Sequence, residues 1–154
     1  MAQGDVVFFD QFLVDVMEGV HNMETNTIKV GLVDNTTPPT ATTADPRWGA
    51  GGTTNYKALE VTPGGNYAAD GFDITAGASV TLAAGSSNFD STNNPTWAQN
   101  AGNPVDAQWG IIFNDTAAGK NAFGFVDLGG LFNMTTGDLT ITWNASGIAD
   151  LDQV

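Results

Sequence analysis

Several short segments of the chain alternate between apolar and polar residues, and this period of two is typical of half-buried β-strands. The clearest segment is residues 27–34, in which Ile28, Val30 and Leu32 share one face. Clusters of Gly, Asn, Pro and Thr separate the segments, as turns between strands require. We predict strands over residues 27–34, 56–62, 78–83, 86–89, 105–113, 122–128 and 139–143.

Glycines mark several predicted strand ends. Gly85 lies where the strands over residues 78–83 and 86–89 would turn into a hairpin. The pair Gly129-Gly130 is predicted to end the strand over residues 122–128. Because helical segments do not alternate with these strands, the pattern favours an antiparallel sheet over a parallel one.

One segment near the N-terminus repeats at helical spacing instead. We predict a helix over about residues 6–20, with Asp5 able to cap its first turn and Gly19 near its end. The helix either packs on the sheet or forms an arm that contacts a neighbouring subunit. In the second case Phe8 and Phe12 are candidate interface residues. The predicted apolar stripe consists of Val6, Phe9, Leu13, Val16 and Val20, widened by Phe12 and Met17.

These elements predict a mainly β fold. We expect an antiparallel β-sandwich or barrel of jelly-roll or immunoglobulin-like type, with one short N-terminal helix. The 154 residues are expected to form a single β-rich domain, residues 1–154. We also expect Trp109, Phe113, Ile141 and Trp143 to share one core with the helix stripe.

The chain carries 17 acidic and 4 basic side chains, so its formal net charge is −13. Binding to a nucleic-acid backbone needs clustered Lys and Arg, and an anionic membrane surface would repel the chain. We therefore expect neither nucleic acid nor membrane as a partner. No signal peptide or membrane-spanning helix is expected either, because acids interrupt the apolar N-terminal segment.

The sequence offers little catalytic or metal-binding chemistry. There is no cysteine and one histidine, His21, which we expect at the surface or as a helix cap. A calcium site using Asp90, Asn93 and Asn94 stays an open alternative. We expect no enzyme activity, no cofactor and no metal. The acids in turns, among them Asp70, Asp73, Asp150 and Asp152, fall in no recognisable catalytic motif.

Two tryptophans, Trp48 and Trp97, lie in predicted loops. Either side chain could be exposed and serve a partner interface or a carbohydrate platform. The alternative is that they anchor their loops in the core. Trp109 is in phase with Val105 and Ile111, which favours a core position for it.

The order of segments resembles that of small virion proteins of tailed bacteriophages. The resembling segments are FFDQFLVDVMEGVHNMETNTIKVGLVDN, NYAADGFDI, PTWAQ, AQWGIIFNDTAAGKNAFGFVDLGG and LTITWNASGI. They contain a lysine-centred strand at Lys29, a Tyr-x-x-x-Gly loop at residues 67–71 and a tryptophan, Trp97, ahead of a long hairpin. The resemblance spans nearly the whole chain.

This resemblance implies a structural role in the virion. The first expectation is a capsid decoration, or cement, protein made in the host cytoplasm. It would bind the outer head surface, stabilise neighbouring major capsid subunits and associate with copies of itself as a homotrimer. One alternative is a tail-tube protein with an acidic lumen for DNA passage. Another is a receptor- or glycan-binding tail module.

Overall fold

The computed structural model describes residues 5–83 and 85–152. One α-helix, α1 (Gln11–Met17), and two 3-10 helices, Tyr56–Leu59 and Thr75–Gly77, accompany short strands. No helix in these ranges is long and apolar enough to cross a membrane. The strands are β1 (Val6–Phe8), β2 (Ile28–Val33), β3 (Pro46–Arg47), β4 (Thr54–Asn55), β5 (Phe72–Asp73), β6 (Ala78–Ala83), β7 (Ser86–Ser91), β8 (Thr96–Trp97), β9 (Ala107–Asn114), β10 (Ala122–Phe132), β11 (Leu139–Thr140) and β12 (Ala149–Asp152).

A five-stranded antiparallel sheet forms the centre of the protein, in the order β1-β10-β9-β2-β5. In its middle strand, β9, seven of the eight residues are buried, because the sheet is covered on both faces. The register places Val30 opposite Ile112 and Gly31 opposite Ile111. Strands β1 and β5 are the sheet's edges, so the described strands leave it open rather than closed into a barrel.

Three smaller sheets surround the central one. Strands β12, β7 and β6 form an antiparallel sheet in that order, β11 pairs with β8, and β3 pairs in parallel with β4. The predicted hairpin of β6 and β7 is confirmed, and Gly85 in its turn has a φ of +87°. The fold class is likewise confirmed as mainly β, with antiparallel sheets and one helix near the N-terminus.

The two faces of the central sheet pack into separate apolar clusters. Ile112, Ile141 and Trp143 belong to the larger cluster, whereas Phe113 belongs to the smaller, against which Trp109 packs. The prediction of one core containing Trp109, Phe113, Ile141 and Trp143 is therefore wrong. The physical reason is that Trp109 and Phe113 project to one face of the sheet, whereas the segment with Ile141 and Trp143 packs on the other face.

The N-terminal segment differs from its prediction. Val6–Phe8 forms a strand on the edge of the central sheet, with Val7 opposite Phe125, and the helix covers only Gln11–Met17. Pairing with an open sheet edge satisfies more backbone groups there than another helical turn would. Asp5 therefore does not cap the helix. Gly19, with a φ of +72°, lies just past its end, as expected.

Three strand predictions also need correction. Residues 56–62 contain the 3-10 helix Tyr56–Leu59 instead of a strand. Strand β10 continues past Gly129-Gly130 to Phe132, because both glycines adopt positive φ and absorb an irregular register there. The last predicted strand, residues 139–143, keeps regular pairing only over Leu139–Thr140.

Candidate functional site

A groove of about 430 Å³ lies between the three-stranded sheet and the helix α1 with the segment that follows it. We call it the apolar groove, because apolar side chains from both sides form most of its lining. Phe12, Val16 and Met23 come from the helix side, and Val80, Phe89, Ala149 and Leu151 come from the sheet side.

The sheet side follows directly from strand register. Val80, Phe89 and Ala149 stand in one cross-strand row, and Leu82, Ser87 and Leu151 stand in the next row on the same face. Phe89 and Ala149 are buried in the larger cluster, whereas Val80, Leu82 and Leu151 are 43%, 79% and 41% exposed. The apolar face of this sheet thus extends beyond the core into solvent.

The helix side continues the same apolar surface. Leu13 is 61% exposed and lines a smaller groove of about 160 Å³ together with Phe8, Phe12 and Leu151. Met17, on the same helix, is 88% exposed. Exposed apolar side chains that are grouped in this way mark interaction surfaces, whereas singly scattered ones are ordinary.

The border of the two grooves is acidic. Glu24 lines the apolar groove, and Asp10 and Asp150 line the smaller one. No Lys or Arg of the described ranges lines either groove. An apolar lining with an acidic border favours an apolar partner segment with neutral or basic neighbours.

A buried polar cluster lies beneath the apolar groove. The side chain of His21 is fully buried, with its Nε2 3.5 Å from Oδ2 of Asp15 and its Nδ1 3.3 Å from Nδ2 of Asn114. Asp15 is 3% exposed and accepts hydrogen bonds from Asn121 (2.8 Å) and Gln11 (2.9 Å). The expectation of a surface or capping histidine is wrong, because the chain after α1 folds His21 back against aromatic rings.

Burial lowers the pKa of His21, and this effect outweighs the opposing attraction of Asp15. The imidazole is therefore neutral at neutral pH, and an unprotonated Nδ1 can accept from the Asn114 amide. In residues 5–83 and 85–152, no three His, Cys, Asp or Glu side chains are grouped to hold a metal ion. The cluster thus supports the groove from below.

The His21 environment predicts how stability depends on pH. In the unfolded chain this histidine takes up a proton near its ordinary pKa of 6.5, whereas the folded state resists protonation. The unfolded state then binds more protons, so the free energy of unfolding should fall as the pH drops below 6.5. Urea titrations between about pH 8 and pH 5 measure this decrease.

His21→Gln is the comparison variant, because glutamine does not titrate and can still donate to Asp15. It should show a smaller fall in unfolding free energy over the same range. The hydrogen bond from Lys57 lowers the pKa of Asp70, so that carboxylate titrates below its ordinary 3.8 and outside this window. Equal decreases in the wild type and in His21→Gln would contradict the assignment.

The structure buries three of the four predicted interface residues. Trp48, Trp97 and Phe12 are only 1%, 3% and 4% exposed. Trp48 stacks on a phenylalanine of β9, and Trp97 packs in β8 beside two other aromatic rings. The two tryptophans therefore anchor their loops in the core, and Phe12 forms part of the floor under both grooves. Phe8 is half-buried and lines the smaller groove.

The residues considered for calcium make hydrogen bonds within the protein. Asp90 accepts from the backbone of Ser91 at 2.7 Å, and Asn93 donates to the carbonyl of Asp73 at 3.0 Å. Asn94 accepts from the Trp143 backbone at 3.2 Å. Asp90 thus bonds to its neighbour in the chain, whereas Asn93 and Asn94 connect their segment to distant ones.

No protein-family model matches the chain, and neither curated proteins nor solved structures give a significant match. The geometry of the surface therefore carries the functional argument. The sequence pattern does not predict the apolar groove, because the groove forms only where α1 and the segment after it pack beside the three-stranded sheet. The helix offered one signal for an exposed apolar surface. Leu13 and Met17 lie on a different side of the helix from Phe12 and Asp15, so one buried stripe cannot hold all four residues.

Proposed function

We propose that the chain is a structural protein of a tailed-phage virion, a capsid decoration protein that binds the outer surface of the head. It acts without catalysis, by contacting neighbouring major capsid subunits. The observation that carries this proposal is the apolar groove together with the exposed apolar side chains near it on both the helix and the sheet. The segment order of the sequence, which resembles that of small phage virion proteins, supports the same role.

Binding energy would come mainly from the apolar side chains. Covering an exposed Leu or Met side chain contributes about 1.5–3 kcal/mol when burial is complete. Leu13, Met17 and Leu82 are each more than half exposed and have most to gain. The acidic border adds selectivity for a neutral or basic partner surface, since like charges at an interface are costly. Contact with two adjacent capsid subunits at once would resist their separation.

A charge placed in the smaller groove, which continues the apolar surface on the helix side, should weaken this binding. We expect Leu13→Glu to weaken binding to expanded heads by tenfold or more, because it buries an unpaired carboxylate at the contact. Its free energy of unfolding should stay within about 0.5 kcal/mol of wild type, since Leu13 is 61% exposed. Cosedimentation of the purified protein with heads measures the binding.

Leu131→Glu is the matched control, because Leu131 is 65% exposed and lines neither groove. It makes the same chemical change and should bind heads as the wild type does. Equal binding by Leu13→Glu and Leu131→Glu would contradict a capsid contact through the apolar surface around Leu13.

A tail-tube protein is the second candidate, and one observation favours it. The polar face of the three-stranded sheet carries Asp90, Asp150 and Asp152, which would suit a lumen that repels DNA. Assembly of the purified protein into rings or tubes, without binding to heads, would favour this role. The glycan-binding alternative loses its basis, because Trp48 and Trp97 are buried.

A further inference from the structure

The two edges of the three-stranded sheet differ in charge. Strand β12, at one edge, carries Asp150 and Asp152. Strand β6, at the other edge, reads Ala-Ser-Val-Thr-Leu-Ala and has no charged residue. Natural proteins usually protect an exposed sheet edge with charges, prolines or bulges, because unpaired backbone groups there attract another strand. Only β12 has such protection.

Strand β6 is also open and regular. Ser79, Val80, Thr81 and Leu82 are all exposed, and no other strand of residues 5–83 and 85–152 pairs with the outer edge of β6. Its pairing with β7 runs through six consecutive residue pairs without a bulge. Alternate residues of an edge strand direct their backbone N–H and C=O groups outward. Strand β6 thus presents a straight row of unpaired groups.

We propose that β6 pairs antiparallel with β6 of a second copy of this chain, about a twofold axis at Thr81. The three-stranded sheets of the two copies would then form one continuous six-stranded sheet. This register sets Val80 of one copy opposite Leu82 of the other on the apolar face, and Thr81 opposite Thr81 on the polar face. Apolar residues of one β6 strand therefore lie opposite apolar residues of the other, and polar residues lie opposite polar ones.

Two copies of this acidic chain repel each other least when they meet at the uncharged strand β6. Each chain carries a net charge of −13, so two copies repel wherever acidic surfaces meet. Strand β12 lies two strands away from β6, which separates the β12 strands of the two copies by about 24 Å. The Asp90 side chains on β7 would be about 20 Å apart, because they are separated by three strand spacings across the sheet and by four residues along it. Both distances exceed the Debye length of about 8 Å at physiological salt.

This pairing predicts a dimer, whereas the resemblance to phage proteins suggested a trimer. It does not rest on the proposed capsid role, since it concerns only the isolated protein. The twofold axis would bring the apolar grooves of two copies to the same face of the extended sheet, because Val80 and Leu82 belong to that face. A capsid-bound dimer would then offer two equivalent contacts.

A cysteine introduced at the twofold axis tests the contact directly, because the natural chain has no cysteine. Opposed residues in an antiparallel pair have Cα atoms about 4.5–5.5 Å apart, within the range of a disulfide. Purified Thr81→Cys should form a disulfide-linked dimer under mild oxidation. Asp152→Cys, an exposed residue on the other edge, is the matched control and should remain largely monomeric.

A lysine at the same position provides a second test that needs no oxidation. Sedimentation equilibrium should show the wild type as a dimer in a concentration series that extends to about 1 mM. Thr81→Lys should raise the dimer dissociation constant by about tenfold or more, since lysine blocks edge pairing. Thr53→Lys, the same change at an exposed loop residue, should leave the constant unchanged.

Several results would overturn the proposal. They are a wild-type protein that is monomeric throughout the series, a trimer, equal effects of Thr81→Lys and Thr53→Lys, or equal crosslinking of Thr81→Cys and Asp152→Cys. Head binding by Leu13→Glu and Leu131→Glu is measured separately. Failure of the strand pairing is therefore distinguishable from failure of the capsid role.

Discussion

Replacement of Trp48 by alanine is expected to lower the free energy of unfolding by about 3–5 kcal/mol. The indole is 1% exposed and stacks on Phe113, with ring centroids 4.8 Å apart and planes 8° from parallel. Its Nε1 donates a hydrogen bond of 2.9 Å to Asp70. The truncation removes the largest side chain of the smaller apolar cluster, and urea denaturation measures the loss.

The same site predicts a specific coupling between two substitutions. Trp48 lies directly over Gly31, where an added Cβ would meet the indole Cη2 at a distance too short for any real contact. Gly31→Ala should therefore cost about 1–3 kcal/mol in the wild type through overpacking. In the Trp48→Ala background the added methyl group enters the vacated space, and its cost should largely disappear.

A double-mutant cycle of Gly31→Ala and Trp48→Ala isolates this coupling. The double variant should be more stable than the sum of the two single effects predicts. Strictly additive losses would show that Trp48 does not pack on Gly31. A Trp48→Ala variant as stable as the wild type would contradict the burial of the indole altogether.

Gly71→Ala is expected to cost about 3 kcal/mol or more, the second largest effect. Gly71 has a φ of +72°, and an added Cβ would overlap the carbonyl oxygen of Val30 and the Cα of Gly31. Both obstacles are backbone atoms of β2, so no side chain can rotate away. The substitution should separate β5 from β2, because the two strands pair immediately beyond this residue.

Gly19→Ala is the matched control for Gly71→Ala. Gly19 has the same φ of +72°, but an added Cβ there would meet nothing within 4 Å. The two variants share the cost of a left-handed backbone, so their difference in unfolding free energy isolates the steric overlap. Equal losses in the two variants would mean that residue 71 does not lie against β2.

The sequence pattern predicted the elements whose alternation is strict. Ile28, Val30 and Leu32 lie together in the larger cluster, as their spacing indicates. The hairpin of β6 and β7 was equally readable, since a glycine marks its turn. In such segments local preference and final packing agree, so the period of two determines both strand and face.

The prediction of the N-terminal helix was wrong where local pattern and tertiary pairing disagree. Val6 and Val7 fit either a helix stripe or a strand. They form a strand because the edge of β10 is available to pair with them. Helix α1 is rotated from its predicted face. It buries Phe12 and Asp15 and leaves Leu13 and Met17 exposed. No rule of apolar periodicity places a buried aspartate there, because one of its partners, Asn121, comes from a distant part of the chain.

The periodicity of the sequence could not predict the burial of the tryptophans either. Trp48 lies in an irregular segment, and its burial depends on the space above Gly31, a residue 17 positions earlier in the chain. Similarly, His21 follows the helix without any local signal for burial. Its position depends on Asn114 and Asp15, which meet only after β9 and α1 have packed. Long-range packing of this kind determines most of the candidate site.

The proposed function is tested most directly by the position that this chain takes in intact tailed-phage particles assembled with it. Cryo-electron microscopy of particles with and without the chain gives a difference map that shows where it lies. We predict density in many copies on the outer head surface, with the apolar groove facing the major capsid protein. Density inside the tail tube, or no density on the head, would contradict the proposal.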